Sequence, residues 1–424
     1  MAKTLAKNSL YTLISNIALA ASNWLMLVLI AKSFETQLLG IFVLTLSLFS
    51  PAFLLASFKI RTLLIVDHEW DFKPEHYACA RIFANCIAIL AMISVAQTFY
   101  SSIPLTLLLM VAVYKLADAW SEFCQSYLRR HQRFEVISLS TSVRAVLTIV
   151  SLLLAIGFEA SFTLIVTIWM MWAIIFAVVD SILFFKYWDE PELYRFSFRR
   201  VVSFVAISRA IQLYRKHFTI AIALLIGALF VHMPNYALAH YFSPSEAGMF
   251  ATISYFLIAG GILINSLSQA ATPQLVQSFK KRDRMHFIRT VIKLCAVGVV
   301  LGCLGILIAV TMGEWILTIF YNQQIAAHAN VLIWVMLAAG IRYLYIFLGT
   351  ALAALQQFKV QTHIATLGFV VLATSMLLWV PDSAMVGAAQ AMVLATLIEC
   401  LAYLIVFRRQ VHKAFTASSV NRLS

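Results

Sequence analysis

Apolar residues run along this chain in long stretches divided by short polar turns. The stretches are too long and too uniformly apolar to be the one-faced helices of a water-soluble protein. Twelve can be drawn, near residues 10–31, 40–58, 82–99, 103–126, 138–157 and 161–185, then 217–238, 246–268, 294–313, 329–354, 362–381 and 384–407. At the rise of an α-helix each is long enough to cross a bilayer, so the pattern predicts an all-α integral membrane protein with 12 transmembrane helices. One polar run interrupts the rhythm, Trp188-Asp189-Glu190-Pro191-Glu192 followed by Arg195, Arg199 and Arg200. It divides the chain into a six-helix bundle over 1–186, a cytoplasmic linker over 187–215, a second six-helix bundle over 216–407 and a cytoplasmic tail over 408–424.

Composition makes lipid the solvent: 62% of residues are hydrophobic, 12% are charged, and the mean hydropathy is +0.90. The first stretch lacks a small-residue cleavage site and reads as a retained span. A formal net charge of +13 would elsewhere suggest nucleic acid. Here 27 of the 31 Lys and Arg residues fall on one side of the drawn spans, which by the positive-inside rule puts both termini in the cytoplasm. The six cysteines show no Cys-x-x-Cys spacing, and the sequence has no His-Glu-x-x-His, Gly-rich phosphate loop or Gly-x-Ser-x-Gly elbow. No disulfide, metal site, cofactor or catalytic activity is expected.

The two sets of six spans look like copies. Lys7-Asn8 corresponds to Arg215-Lys216, and Glu35-Thr-Gln-Leu-Leu-Gly40-Ile-Phe to Ser243-Pro-Ser-Glu-Ala-Gly248-Met-Phe. After the fourth and tenth spans, Gln-Arg133-Phe134-Glu135-Val136 corresponds to Gln-Gln357-Phe358-Lys359-Val360, at a larger offset. Six is even, so the copies share an orientation and form a parallel repeat about the membrane normal.

Charge inside hydrocarbon is expensive and therefore informative. Lys115 and Asp118 lie three residues apart on one face of the fourth span, either as an internal ion pair or as part of a cavity wall. The Phe134–Phe358 register places Arg342 opposite Asp118. Arg342 sits roughly 20 Å into its span, too deep to snorkel easily, and offers a fixed fork for phosphate or carboxylate. It reads as the leading anion-binding residue, with a salt bridge or gate to Asp118 as the alternative. Arg144 and Arg81 either snorkel or capture phosphate. Asp180 and Glu399 either carry a coupling ion, H+ or Na+, or pair with a basic neighbour. Asn16 and Asn23, seven apart, either bond to sugar or join helices. Trp169, Trp172 and Phe176 either stack on sugar or pack, and Ser50-Pro51 and Gly260-Gly261 are candidate bending points.

The layout resembles the multidrug, oligosaccharidyl-lipid and polysaccharide exporter superfamily, and within it the polysaccharide flippases of O-antigen and capsule assembly. The resemblance rests on Lys7-Asn8-Ser9, on Leu-Gly40-Ile-Phe and Ala-Gly248-Met-Phe, on Ile316-Leu-Thr-Ile-Phe320-Tyr321, and on Leu352-Ala-Ala-Leu-Gln-Gln-Phe358-Lys359. It implies two six-helix lobes and alternating access in the bacterial inner membrane, moving a polyprenyl-diphosphate-linked oligosaccharide outward. Membrane lipids and polysaccharide polymerases would be its partners. Lys115, Arg144 and Arg342 fit such a family's cationic cavity, although the first span has no basic residue between Lys7 and Lys32. A cation-coupled multidrug exporter is the rival reading, and a glycan polymerase or ligase ranks below it, since no external loop is long.

Overall fold

The structure is a computed structural model that describes residues 2–58, 60, 63–64, 72–188 and 196–416. The polar run over 189–195 and the end of the tail, 417–424, lie outside them. The described residues are helical with no strand: α1 (Ala2–Ser33), α2 (Thr36–Ser57), α3 (Pro74–Phe99), α4 (Leu105–Arg130), α5 (Phe134–Gly157), α6 (Phe162–Lys186), a short α7 (Phe198–Val201), α8 (Phe204–Tyr241), α9 (Pro244–Lys280), α10 (Arg284–Phe320), a short α11 (Gln323–Ala326), α12 (Ala329–Ala354) and α13 (Phe358–Thr416).

Nine of these, among the described residues, are long and apolar enough to cross a membrane. The sequence pattern predicts 12. Helix α4 falls outside the nine because Lys115, Asp118 and Glu122 enter every 18-residue window of it. Helix α8 is the other long helix outside that set. Several helices outrun the apolar stretches: α3 begins at Pro74, α8 at Phe204, and α9 runs on to Lys280. Hydropathy marks only the length that lies in hydrocarbon, whereas backbone hydrogen bonding continues into the polar zone where Lys and Arg are solvated. Helix α13 covers both of the last two stretches. Its break is Ala384 (φ 45°, ψ −127°), three residues after Pro381, and Gly387 lies against the Trp379 carbonyl, so the chain doubles back there with no intervening loop.

Helix starts use ordinary chemistry. Ser161, Ser243, Asp283 and Asn322 accept a backbone N–H with their side chains at the starts of α6, α9, α10 and α11. The turns that close α4 and α12 share one geometry. Gln132 and Gln356 are left-handed (φ 57° and 60°), and in both turns the next N–H reaches back to a leucine carbonyl, Arg133 to Leu128 and Gln357 to Leu352, at 2.9 Å. These are the two turns that set the larger offset between the halves.

By contact the chain divides into two units, Met1–Leu229 and Phe230–Ser424, with the boundary inside α8. In the first unit α1 packs on α5, α4 on α6 and α2 on α3. The described part of the 187–215 linker is folded into this unit. Phe196, Val201 and Leu213 join Phe58, Tyr77, Phe123 and Tyr127 in one core. The Tyr214 hydroxyl donates to the Ala56 carbonyl, and Arg200 lies 3.7 Å from the buried Glu75 carboxylate. An apolar sequence pattern does not show this docking, because the anchors are scattered aromatics between charges.

The second unit is organised by close helix approach. A Cβ on Gly302 of α10 would lie 2.6 Å from the Gly340 Cα of α12, and one on Gly298 would lie 3.0 Å from the Tyr343 carbonyl of the same helix. Gly260 is a notch for the Tyr343 ring, whose hydroxyl donates to the Leu257 carbonyl at 3.2 Å. At the candidate bending points α9 runs unbroken through Gly260-Gly261, and α2 through Ser50-Pro51, with the Ser50 hydroxyl donating to the Leu46 carbonyl at 2.7 Å.

Candidate functional site

Asp118, Ser121 and Gln125 follow one another at spacings of three and four on α4, and so share a face of that helix. Across from them α5 presents Ser140 and Arg144, one turn apart, and α6 presents Asp180. Arg144 Nη1 donates to Asp118 Oδ1 at 2.9 Å, and its guanidinium lies over the Tyr114 ring at 5.7 Å. Asp180 is 1% exposed and accepts from Ser121, from Ser140 at 2.6 Å and from Gln125 at 2.9 Å. These bonds tie α4, α5 and α6 together.

That arrangement shows where three of the expected residues sit. Asp118 is paired with Arg144, so neither Lys115 nor Arg342 is needed to neutralise it. Arg144, read as either snorkelling or capturing a phosphate, has its fork on the Asp118 carboxylate of the same unit. Asp180 takes its hydrogen bonds from two hydroxyls and an amide, with Arg144 close by but bonded to Asp118. Arg81, read in the same two ways, is buried on α3 and ion-paired with Glu122 of α4. Sequence reasoning passed over Ser121, Gln125 and Ser140, though their spacing from Asp118 and Arg144 was readable. Glu122 gave no such signal, because its partner lies on another helix.

Lys115 donates to the Ser50 hydroxyl of α2 at 3.3 Å, beside Pro51. A small cavity of about 10 Å³, room for one water, is lined by Ser22 and Asn23 of α1, Tyr114 of α4, and Thr141, Arg144 and Thr148 of α5. Asn23 thus reaches a polar interior, whereas Asn16, seven residues earlier, is exposed. Trp169 is stacked on Tyr114 at 3.4 Å, Trp172 donates to Ser151 at 2.8 Å, and Phe176 is buried. These faces are occupied by protein, which removes them as sugar platforms in this state.

The bonded Asp180 yields a first expected result. Asp180→Ala strands three interhelical donors, each worth about 0.6–1.7 kcal/mol in a membrane interior. The purified variant should lose roughly 2–5 kcal/mol of stability, read as a melting temperature lower by several degrees. An unchanged melting temperature would show the cage to be incidental.

In the second unit α12 carries Arg342 about 20 Å along its length from Ala329. Among the described residues its guanidinium makes no hydrogen bond or ion pair; it lies over the Phe230 ring at 5.9 Å. Tyr345, one turn on, stacks on Tyr403 with ring centroids 5.3 Å apart, and Glu399, buried on the second segment of α13, seats its carboxyl at a notch left by Gly368. The site therefore contrasts a closed set of charges in the first unit with an open arginine in the second.

No family model matches the sequence. Along 408 residues, 96% of this chain and 100% of the other, it is 23% identical to a capsular polysaccharide biosynthesis protein, CapF, of Staphylococcus aureus. Among solved structures, the lipid II flippase MurJ in an inward closed conformation superposes with a TM-score of 0.71 at 15% identity, covering 97% of this chain and 91% of that one. The Vibrio cholerae MATE transporter VcmN superposes with a TM-score of 0.61 at 14% identity, covering 97% of each. The resemblance carried by the sequence motifs thus extends to the fold: this is a multi-pass membrane protein with the fold of the MOP superfamily transporters.

Proposed function

We propose that this chain is a flippase that moves a polyprenyl-diphosphate-linked oligosaccharide from the inner to the outer leaflet of the bacterial cytoplasmic membrane, by alternating access, in capsule or O-antigen assembly. It acts without bond chemistry of its own and is not an enzyme. The observation that carries the reading is Arg342: a permanent cation deep in a membrane helix, with its donors unengaged by the described protein groups. A diphosphate cannot cross hydrocarbon unaided, and a planar guanidinium lowers that barrier by bidentate contact. Lys115, with one hydroxyl partner, is the second cation suited to the headgroup, and Asn23 a suitable partner for sugar.

The architecture that fits this reading has 12 spans in two six-helix bundles related by a parallel repeat, with the 187–215 linker and both termini in the cytoplasm. Matching turns at Gln132 and Gln356, the doubling back of α13 at Ala384 and the one-sided Lys and Arg distribution support it. Membrane lipids, a polysaccharide polymerase and a coupling ion, H+ or Na+, are the partners it implies. The MATE likeness favours a rival cargo, a lipophilic cation, on the same fold. Reconstitution in liposomes separates the two. Transbilayer movement of a fluorescent polyprenyl-diphosphate glycan should be accelerated and that of a lipophilic cation unaffected; the reverse result overturns the proposal.

A further inference from the structure

The docked part of the 187–215 linker leaves large apolar side chains uncovered: Val202 is 70% exposed, Phe204 85%, Val205 63% and Ile211 49%. One exposed apolar residue is ordinary, but four so close together, in a run too rich in charge to be a span, make a patch that something covers. The first turns of α8 have two faces. Ala206, Ala210 and Leu213, spaced by four and three, are buried in the core with Phe58, Phe123 and Phe184. Away from that core run two adjoining stripes, Phe204-Ile211-Arg215 and Val205-Arg209-Lys216, whose members are all exposed.

Charge and depth say what fits there. Residues 196–216 hold five Lys and Arg and no Asp or Glu. Arg200 lies 3.7 Å from Glu75 of the first unit, while Arg199, Arg209, Arg215 and Lys216 are exposed and flank the apolar side chains in sequence. The core that receives α8 contains Phe58, Phe123 and Phe184, each in the last turn of an apolar stretch, and the Tyr214 hydroxyl reaches the carbonyls of Ala56 and Ala80 beside it. The segment is therefore level with the basic ends of the spans, where hydrocarbon gives way to headgroups. Bulky apolar and cationic side chains together on one exposed face at that depth match the surface of an anionic bilayer. A soluble partner would have to enter the headgroup layer to reach them.

We infer that residues 199–216 are a docking site for the anionic phospholipids of the leaflet on that side. Only the choice of leaflet, the inner one, rests on the architecture proposed above. Phe204, Val205 and Ile211 enter the boundary between headgroups and acyl chains, and Arg199, Arg209 and Arg215 extend to headgroup phosphates. Arg200 beside Glu75, Tyr214 on the Ala56 carbonyl and the buried Ala206, Ala210 and Leu213 fix the segment to the first unit from behind. The ligand is the bilayer's own lipid, not the cargo, and the linker thereby holds the basic end of the first unit to the membrane surface.

The test puts p-benzoylphenylalanine in place of Phe204 in the full-length protein, in nanodiscs of equal phosphatidylglycerol and phosphatidylcholine, and counts photoadducts by mass spectrometry. Lipid adducts should form, with phosphatidylglycerol in excess by about tenfold or more. R199Q and R209Q should each lower that excess by about threefold to fivefold, the share of one cation at an anionic surface. All three positions are exposed, so the variants should fold. Absence of lipid adducts, linkage to a second copy of the chain, no preference between the two lipids, or a preference that both variants leave unchanged overturns the inference. Farnesyl diphosphate, a soluble polyprenyl diphosphate, separates the bilayer's lipid from the cargo: it should leave the phosphatidylglycerol adducts unchanged, and their displacement assigns the face to cargo and overturns the phospholipid assignment. None of these readouts involves transport or Arg342, so their failure leaves the flippase reading standing.

Discussion

Arg342→Ala is expected to stop surface polysaccharide export and to make the lipid-linked precursor accumulate in the membrane. In the proposed mechanism this side chain holds the headgroup where water is scarce, and the loss of a charged partner to phosphate in such surroundings costs about 2–4 kcal/mol. That corresponds to a factor of roughly 30 to 1,000 in headgroup affinity. Arg342→Lys should recover a minor part of transport, because an ammonium is a point charge that cannot grip two oxygens in a plane. It should be a more sensitive probe than Ala of whether the fork matters. The measurement is surface glycan and precursor level in the native host, with the variant's membrane abundance as control. Normal glycan in both variants would remove Arg342 from the mechanism. The same substitutions at Arg144 are expected to act differently: its carboxylate partner is Asp118, so they should lower the melting temperature before they lower headgroup affinity.

The second large effect is structural. Gly302→Leu should leave little correctly folded protein, since even a Cβ at this position would come within 2.6 Å of the Gly340 Cα. Backbone, rather than a flexible side-chain end, blocks the way, so α10 and α12 would have to part along a contact that Gly298 and Gly305 also make tight. Separating two helices packed through glycines forfeits many small dispersion contacts together, of the order of 3–5 kcal/mol or more. Gel filtration of the solubilised variant reads this as loss of the monodisperse peak. A Gly302→Leu protein that elutes and melts like wild type would show that the two helices are not held by this approach.

Helical class and the position of most spans were legible in the sequence, because long apolar runs between basic turns have one stable solution in lipid. The intramembrane charges Lys115, Asp118, Arg144 and Arg342 were legible too, since each is conspicuous in its run. Their pairing was not. Asp118 had Lys115 three residues away on its own helix, and periodicity ranks that neighbour first, yet Arg144 on another helix reaches it with better geometry. Arg81 and Glu122 illustrate the same point, since which helices adjoin is a property of packing. The packing role of Gly260 was hidden for a related reason, since Tyr343 fills its notch from a helix distant in sequence. Helix ends were set too short because solvated Lys and Arg do not stop a helix, and the docking of Phe196, Val201 and Tyr214 onto the first unit was invisible for want of any periodic signal.

The doubling back at Ala384 bears on how sidedness of this protein can be mapped. With Gly387 seated on the Trp379 carbonyl, the reversal has no slack to accept a reporter, an epitope or a protease. An insertion between Pro381 and Ser383 would wedge two helices apart and report a broken hairpin in place of a location. Pro381, Asp382 and Ser383 are exposed all the same, so single cysteines at these positions, in place of insertions, should report which side of the membrane the corner faces.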